Sequence, residues 1–484
     1  MKYATPESCG ISTADIKYYV DMLEADGLAT HSLIIARGDN IIFEKYWEPF
    51  DRDFKHRLYS VTKSFASLAI GFAEQDGLIS LDDEISRYFP EECKSAPDDY
   101  ARHQTVRDML MMRSAYPNSR SWFNLSPDDR VLNYFADNRG SYYPSGSLFR
   151  YDSTGSFILG SLVERVTGRD IIDYLNEKLF SKIGVEGAYT LKCPGGHSWM
   201  DSALLMRPID LMKTARFVLS GGKWNGEQIL NENYVKTATS NLVPTTNYGE
   251  RCTEGHGYGY QIWRTKHNSF FFNGMGCQLA VCNPDKDLIL VYNSDNQGNP
   301  IAKAIIMNGF FDIIHRNAKD TPLPEYTGEP IGDLKLFACS GSYDSPVSDN
   351  VIGKRYVLSS NPMGIEYFTL DISGDEGSFT YKNNSGEKSI LFGMNKNVFS
   401  KFPEEGYSDE IGSKSAPGHK YDSAASAAWI CDNTLLIRVQ VIDKYFGNMS
   451  VALSFVGDEV AVRMMKNAEN FLGGYDGYAK GKQA

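Results

Sequence analysis

The chain has 484 residues, a length for two or three domains rather than one. Its composition, 42% hydrophobic and 23% charged, supplies a substantial core and excludes disorder as the main state. With 49 Lys and Arg against 61 Asp and Glu, the formal charge of −12 gives no general reason to bind phosphate backbones, which sets nucleic acid aside as a partner.

No run of apolar residues is long enough to predict a membrane span. The first residues, Met1 to Ser8, lead into polar sequence without the apolar stretch of a signal peptide. The eight cysteines are scattered and form no CxxC pair, so reduced thiols and a cytoplasmic location are expected.

Along the chain, Ile16, Val20 and Leu23 share one face of a helix predicted over 13–25. Two β-like runs, 31–36 and 41–46, flank the turn residues Gly38, Asp39 and Asn40. Phe65, Leu68, Ala69, Phe72 and Ala73 keep helical spacing over 60–76, and Gly77 supplies the stop. From about 80 to 250 the chain reads mainly helical, with helices predicted over 106–112, 127–136, 156–166, 171–179 and 208–219. Strands are predicted over 258–264, 269–272, 278–282 and 288–292, then a helix over 300–316. This order implies an α/β (α+β) domain over 1–317: an antiparallel sheet flanked by helices, with a large helical insertion. Residues 318–333, rich in Pro and Gly, read as a linker, and 334–484 as an all-β domain, sandwich or barrel.

Chemistry concentrates at Ser60-Val61-Thr62-Lys63, where one helical turn puts the serine and the lysine on the same side. A serine hydroxyl attacks only when a base takes its proton, and a lysine serves as that base when burial or nearby positive charge lowers its pKa. The helix start adds N–H groups able to hold an oxyanion. Two further S-x-x-K matches, Ser220/Lys223 and Ser385/Lys388, fall in turn-like sequence. Tyr151, just before the 156–166 helix, offers a phenol for proton transfer, with Lys63 as the cation to tune it. Asn273-Gly274-Met275-Gly276-Cys277-Gln278, between two strands, has glycines that let backbone approach a substrate. Taken singly, each has a plain alternative: a helix N-cap, a half-buried aromatic, a hairpin. The eight histidines form no HExxH or i, i+4 pair, and no P-loop or post-strand GxGxxG occurs, so neither a metal nor a nucleotide cofactor is expected.

Taken together and in this order, the three motifs resemble the serine β-lactamase and penicillin-binding-protein superfamily. Closer still are the β-lactamase-related hydrolases that include class C enzymes, family VIII esterases, D-aminopeptidases and 6-aminohexanoate-oligomer hydrolases. The resemblance runs over roughly residues 5–317. It includes Thr5-Pro6-Glu7 with Gly10-Ile11-Ser12, His31-Ser32-Leu33, Gly77 to Asp83, Pro144 to Tyr151 and Gly257 to Trp263. It implies Ser60 as the acylated nucleophile, Lys63 as its base partner and Tyr151 as the tyrosine of the Y-x-N motif, with Ser153 in the Asn position. It also implies an oxyanion hole from the backbone amides of Ser60 and Met275, and a substrate-binding strand at 272–276. The family's Lys or His of that strand is replaced by Phe272 or Asn273, which argues against efficient penicillin recognition. The resemblance therefore implies a serine hydrolase of a small ester or amide that needs no cofactor. The alternative is a slow or silent penicillin-binding-like ligand sensor. The C-terminal region resembles the lipocalin-like β-barrel appended to some of these hydrolases, where a role in limiting substrates or in forming a homo-oligomer is expected.

Overall fold

The computed structural model describes the chain except residues 97, 116–129, 137–140, 142, 194, 247, 249–252, 408–414 and 469–470. The described residues divide into two compact units. One holds 1–294 and 301–334; the other holds 295–300 and the chain from 335 onward.

The first unit is built on a mixed sheet. In chain order its strands are β1 (Lys2–Tyr3), β2 (Thr30–Arg37), β3 (Asn40–Glu48), β4 (Trp263–Thr265), β5 (Ser269–Gly274), β6 (Gln278–Asn283), β7 (Leu288–Ser294) and β8 (Leu334–Lys335). They run in the order β1-β3-β2-β7-β6-β5-β4, with β8 beside β3. From β3 to β4 every neighbouring pair is antiparallel. Leu33, Ile35, Leu279, Val281 and Leu290 point to one face and form a core with helix α1 (Thr13–Ala25), whose Ile16, Tyr19, Val20 and Leu23 are buried. Ser12 caps α1, its side chain accepting from the Ala14 N–H. The C-terminal helix α5 (Ala302–Gly309) packs into the same core and continues into a wide π-type turn over 310–315.

Between β3 and β4 the chain forms the helical part. Its central helix is α2 (Thr62–Gln75), buried from Thr62 to Ala73, with α3 (Ser153–Thr167) and α4 (Pro208–Leu219) nearby in sequence order. The helix predicted over 127–136 is described from Arg130 to Phe135; its first residues lie outside the described ones. The run 258–264 is extended only from Trp263. Gly257 and Gln261 adopt φ of 119° and 57°, which breaks the strand. Gln261 instead acts as a buried tie. Its Nε2 donates to the carbonyls of Met109 (2.9 Å) and Leu110 (3.0 Å), and its Oε1 accepts from Ser156.

The second unit is a β-barrel, as the all-β pattern implied. Its strands are β9 (Arg355–Leu358), β10 (Tyr367–Ser373), β11 (Glu376–Asn383), β12 (Gly386–Met394), β13 (Val398–Tyr407), β14 (Ser415–Cys431), β15 (Thr434–Ile442), β16 (Phe446–Val456), β17 (Glu459–Asn467) and β18 (Gly477–Gln483). Nine of them form a ring, β12-β11-β10-β9-β18-β17-β16-β15-β14, which the parallel β12–β14 pair closes, while β13 lies outside on β14. Closure removes the free edges of these nine strands. The interior is filled with rings: Tyr356, Phe368, Phe379 and Tyr381 stand in a row with neighbouring centroids 5.2–5.3 Å apart, all fully buried.

Candidate active site

Ser60 lies in a tight turn, Tyr59–Val61, that leads directly into α2. The strand before it, His56–Arg57, pairs with Leu204–Met206. Tyr59 has a φ of 46°, unfavourable for a bulky side chain, so the residue before the serine carries backbone strain. The Arg57 guanidinium covers the Tyr59 ring at 4.5 Å.

Lys63, the second residue of α2, is 1% exposed. Its Nζ donates to Ser60 Oγ at 2.9 Å and also to the Asp201 carbonyl. The same Nζ stands 5.1 Å from the centre of the Tyr151 ring. Tyr151 precedes α3, which Asp152 caps by accepting from the Thr154 N–H at 3.0 Å. Its ring stacks on Trp263 at 5.7 Å and on Tyr248 at 6.2 Å. Burial raises the Tyr151 pKa; a hydrogen bond with Ser60 opposes that rise, the Asp201 charge adds to it, Lys303 opposes it and Glu254 adds to it. Ser60, Lys63 and Tyr151, far apart in sequence, therefore meet as one hydrogen-bonded and ring-packed cluster.

The third segment meets them from the sheet. Gly274 closes β5 so near the turn that holds Ser60 that an added Cβ would lie 2.3 Å from the Leu58 carbonyl oxygen. Met275 is partly exposed, and Gly276 (φ 73°) with Cys277 (φ 70°) completes the turn into β6. Cys277 thus stands in the turn, just ahead of β6. Gln278 serves the scaffold: its Nε2 donates to the Ser294 carbonyl, and its Oε1 accepts from Asn293 Nδ2 at 3.0 Å. Ser153 opens α3, partly buried, two residues past Tyr151.

Of the two residues offered for the family's strand cation, Phe272 is fully buried, while Asn273 is only partly so. Asn273 Nδ2 donates to Glu254 Oε1 at 2.8 Å, and Lys303 from α5 pairs with the same oxygen. Glu254, Lys303 and Asp201 escaped the sequence reading. Their segments carry no local motif, and only the fold brings them to Lys63, Tyr151 and Asn273.

A family model described as Beta-lactamase matches residues 17–308, more than half of the chain. The chain belongs to this family. It is 24% identical over 284 residues to the 6-aminohexanoate-dimer hydrolase of Paenarthrobacter ureafaciens, a match over 54% of this chain and 71% of that one. Among solved structures it resembles a putative 6-aminohexanoate-dimer hydrolase from Bacillus anthracis at a TM-score of 0.52 and 18% identity, over 67% of this chain and 88% of that one. It also resembles the octameric penicillin-binding protein homologue from Pyrococcus abyssi, at a TM-score of 0.51 and 15% identity, over 97% of this chain and 99% of that one. The likeness of fold to the Pyrococcus protein therefore extends through the barrel. Family membership and the named relatives point to hydrolase activity. Among the described residues no helix is long and apolar enough to cross a membrane.

Proposed function

We propose that this member of the Beta-lactamase family is a serine hydrolase that cleaves a small ester or amide through an acyl-enzyme. The observation that carries the reading is the buried Lys63 amine 2.9 Å from Ser60 Oγ. Lys63 takes the hydroxyl proton, and Oγ attacks the substrate carbonyl. The backbone N–H groups of Ser60 and Met275 hold the resulting oxyanion, and Gly274 and Gly276 let the strand end come close enough to do so. Tyr151, kept protonated by burial, gives its proton to the leaving group and regains one from Lys63. Water then releases the acyl group by the same route, with Ser153 and Asn273 lining the substrate's path. No cofactor enters these steps. The reading places the enzyme in the cytoplasm, supported by the scatter of the eight cysteines, which form no CxxC pair. It also includes a homo-oligomer, supported by the assembly named for the Pyrococcus relative.

The test is intact-protein mass after mixing with p-nitrophenyl butyrate, alongside release of p-nitrophenol, for the native chain and Ser60→Ala. A transient butyryl adduct and sustained release are expected, both lost in the variant by at least about a thousandfold. Undiminished release from Ser60→Ala sinks the nucleophile assignment. A permanent adduct with a single equivalent of p-nitrophenol and no sustained release makes the protein a covalent sensor instead.

A further inference from the structure

Asn273 has a polar atom that the fold leaves unused. Its Nδ2 donates to Glu254 Oε1 at 2.8 Å, Lys303 pairs with the same oxygen, and Glu254 Oε2 accepts from Thr253 Oγ1 at 3.0 Å. An ionised carboxylate only accepts, so Glu254 dictates which way round the Asn273 amide sits: nitrogen toward Glu254, oxygen away from it. That oxygen, Oδ1, is buried and meets no hydrogen-bond donor among the described residues. Buried acceptors without a donor are few in native proteins, and one beside a reaction centre calls for an explanation.

Its neighbours locate it. The next residue, Gly274, abuts the Leu58 carbonyl just ahead of Ser60. Glu254 and Lys303, which hold Asn273, both act electrostatically on the Tyr151 phenol. Asn273 is thus held by the two charged groups that also act on the Tyr151 phenol.

We propose that Asn273 is a specificity-determining residue whose Oδ1 accepts the N–H of an amine leaving group, so that the site favours amides over esters of the same acyl group. The inference rests on the proposed function, with Ser60 as nucleophile. In that step the Ser60 Oγ–carbon bond forms, the carbon–nitrogen bond breaks, and the nitrogen takes its proton from Tyr151. A secondary amide nitrogen already carries one hydrogen, and that hydrogen pairs with Oδ1 throughout. An ester oxygen carries none and sets a lone pair against Oδ1. Glu254 and Lys303 are positioning residues: they keep the amide from turning its NH₂ toward the substrate.

The experiment compares N-butyryl-p-nitroanilide with p-nitrophenyl butyrate. Both give the same acyl-enzyme, so the ratio of their kcat/KM values reports the leaving-group side alone. In Asn273→Ala the amide-to-ester ratio falls about tenfold or more, the scale of a buried polar group losing its partner. In Glu254→Gln the neutral amide pairs with either end of Asn273, the flip is released, and the ratio falls by about threefold. A change that Glu254→Gln makes to Tyr151 bears more on the amine than on p-nitrophenolate, and the pH dependence separates the two: the released flip lowers the ratio equally at every pH, whereas a retuned phenol moves the pH profile of amide turnover. Ratios within twofold of the native value in both variants overturn the assignment. If Asn273→Ala fails to fold by circular dichroism, Glu254→Gln decides alone. If the native chain releases neither product in a Ser60-dependent way, the hydrolase reading itself fails, and this inference with it.

Discussion

In the proposed mechanism Tyr151 takes its role from the burial of its phenol. Removing a phenolate from water raises its pKa, and Ser60 as hydrogen-bond partner and Lys303 as nearby cation only partly oppose that. The phenol therefore stays protonated throughout the range in which an enzyme works, which suits a proton donor. In the proposed mechanism proton removal from Ser60 then falls to Lys63, whose Nζ is already in hydrogen-bond contact with the hydroxyl. Tyr151→Phe keeps the ring that stacks on Trp263 and removes only the acid. In that variant kcat falls about 10²- to 10⁴-fold while KM changes little, the size of a lost general acid. Steady-state kinetics on N-butyryl-p-nitroanilide, whose amine leaving group must be protonated to depart, measures it, and a variant as active as the native chain would exclude the phenol from proton transfer.

At the scale of elements, the site depends on how closely β5 meets the turn before α2. Gly274 makes that approach possible: a Cβ there would collide with the Leu58 carbonyl oxygen at 2.3 Å, and backbone has no rotamer with which to yield. Gly274→Ala should push the strand end away from Ser60. The expected result is a loss of about 100-fold in kcat/KM, since small misplacements of reacting groups are that costly. Stability should fall by about 1–3 kcal/mol, as for other overpacked sites. A variant with native kcat/KM would show that the strand end plays no part in holding the reacting groups. What the sequence made legible follows the same division. Helix 13–25 announced itself because Ile16, Val20 and Leu23 repeat at the period of the helix and are buried by it. Ser60 with Lys63 was legible because one turn of α2 is enough to bring them together. Glu254, Lys303 and Asn273 come from a turn, a helix and a strand, so no window of sequence contains their meeting. The run 258–264 misled because its aromatics look like a strand, whereas Gln261 is bound to three other segments and bends the backbone away.

Across the first unit as a whole, the strand that delivers Ser60 is anchored in a pocket that excludes protons. His56, four residues before the serine, and His31 on β2 are both fully buried, with ring centroids 5.4 Å apart. Phe50 stacks on His31 at 3.8 Å, and Phe54 meets His56 edge-on at 4.8 Å. Burial drives the His56 pKa down to about 3, against a small opposing contribution from the Phe54 backbone, and it drives His31 well below its usual value, with His56 adding to the effect. An unfolded histidine titrates near pH 6.5. Above that pH neither state binds the proton, and the stability of the pocket is fully present. As the pH falls from about 6.5 toward 3, the unfolded chain takes up protons that the native pocket refuses, so stability drops. The slope reaches about 1.4 kcal/mol per pH unit for each histidine. His56→Gln removes one of these titrations while leaving every carboxylate in place. Urea-unfolding midpoints at pH 7, 5.5 and 4.5, converted to free energies, should fall more steeply for the native chain than for the variant. The gap expected by pH 4.5 is about 1–3 kcal/mol. Parallel curves would mean that His56 gains its proton without loss of the fold, and that the aromatic pocket opens to water ahead of global unfolding.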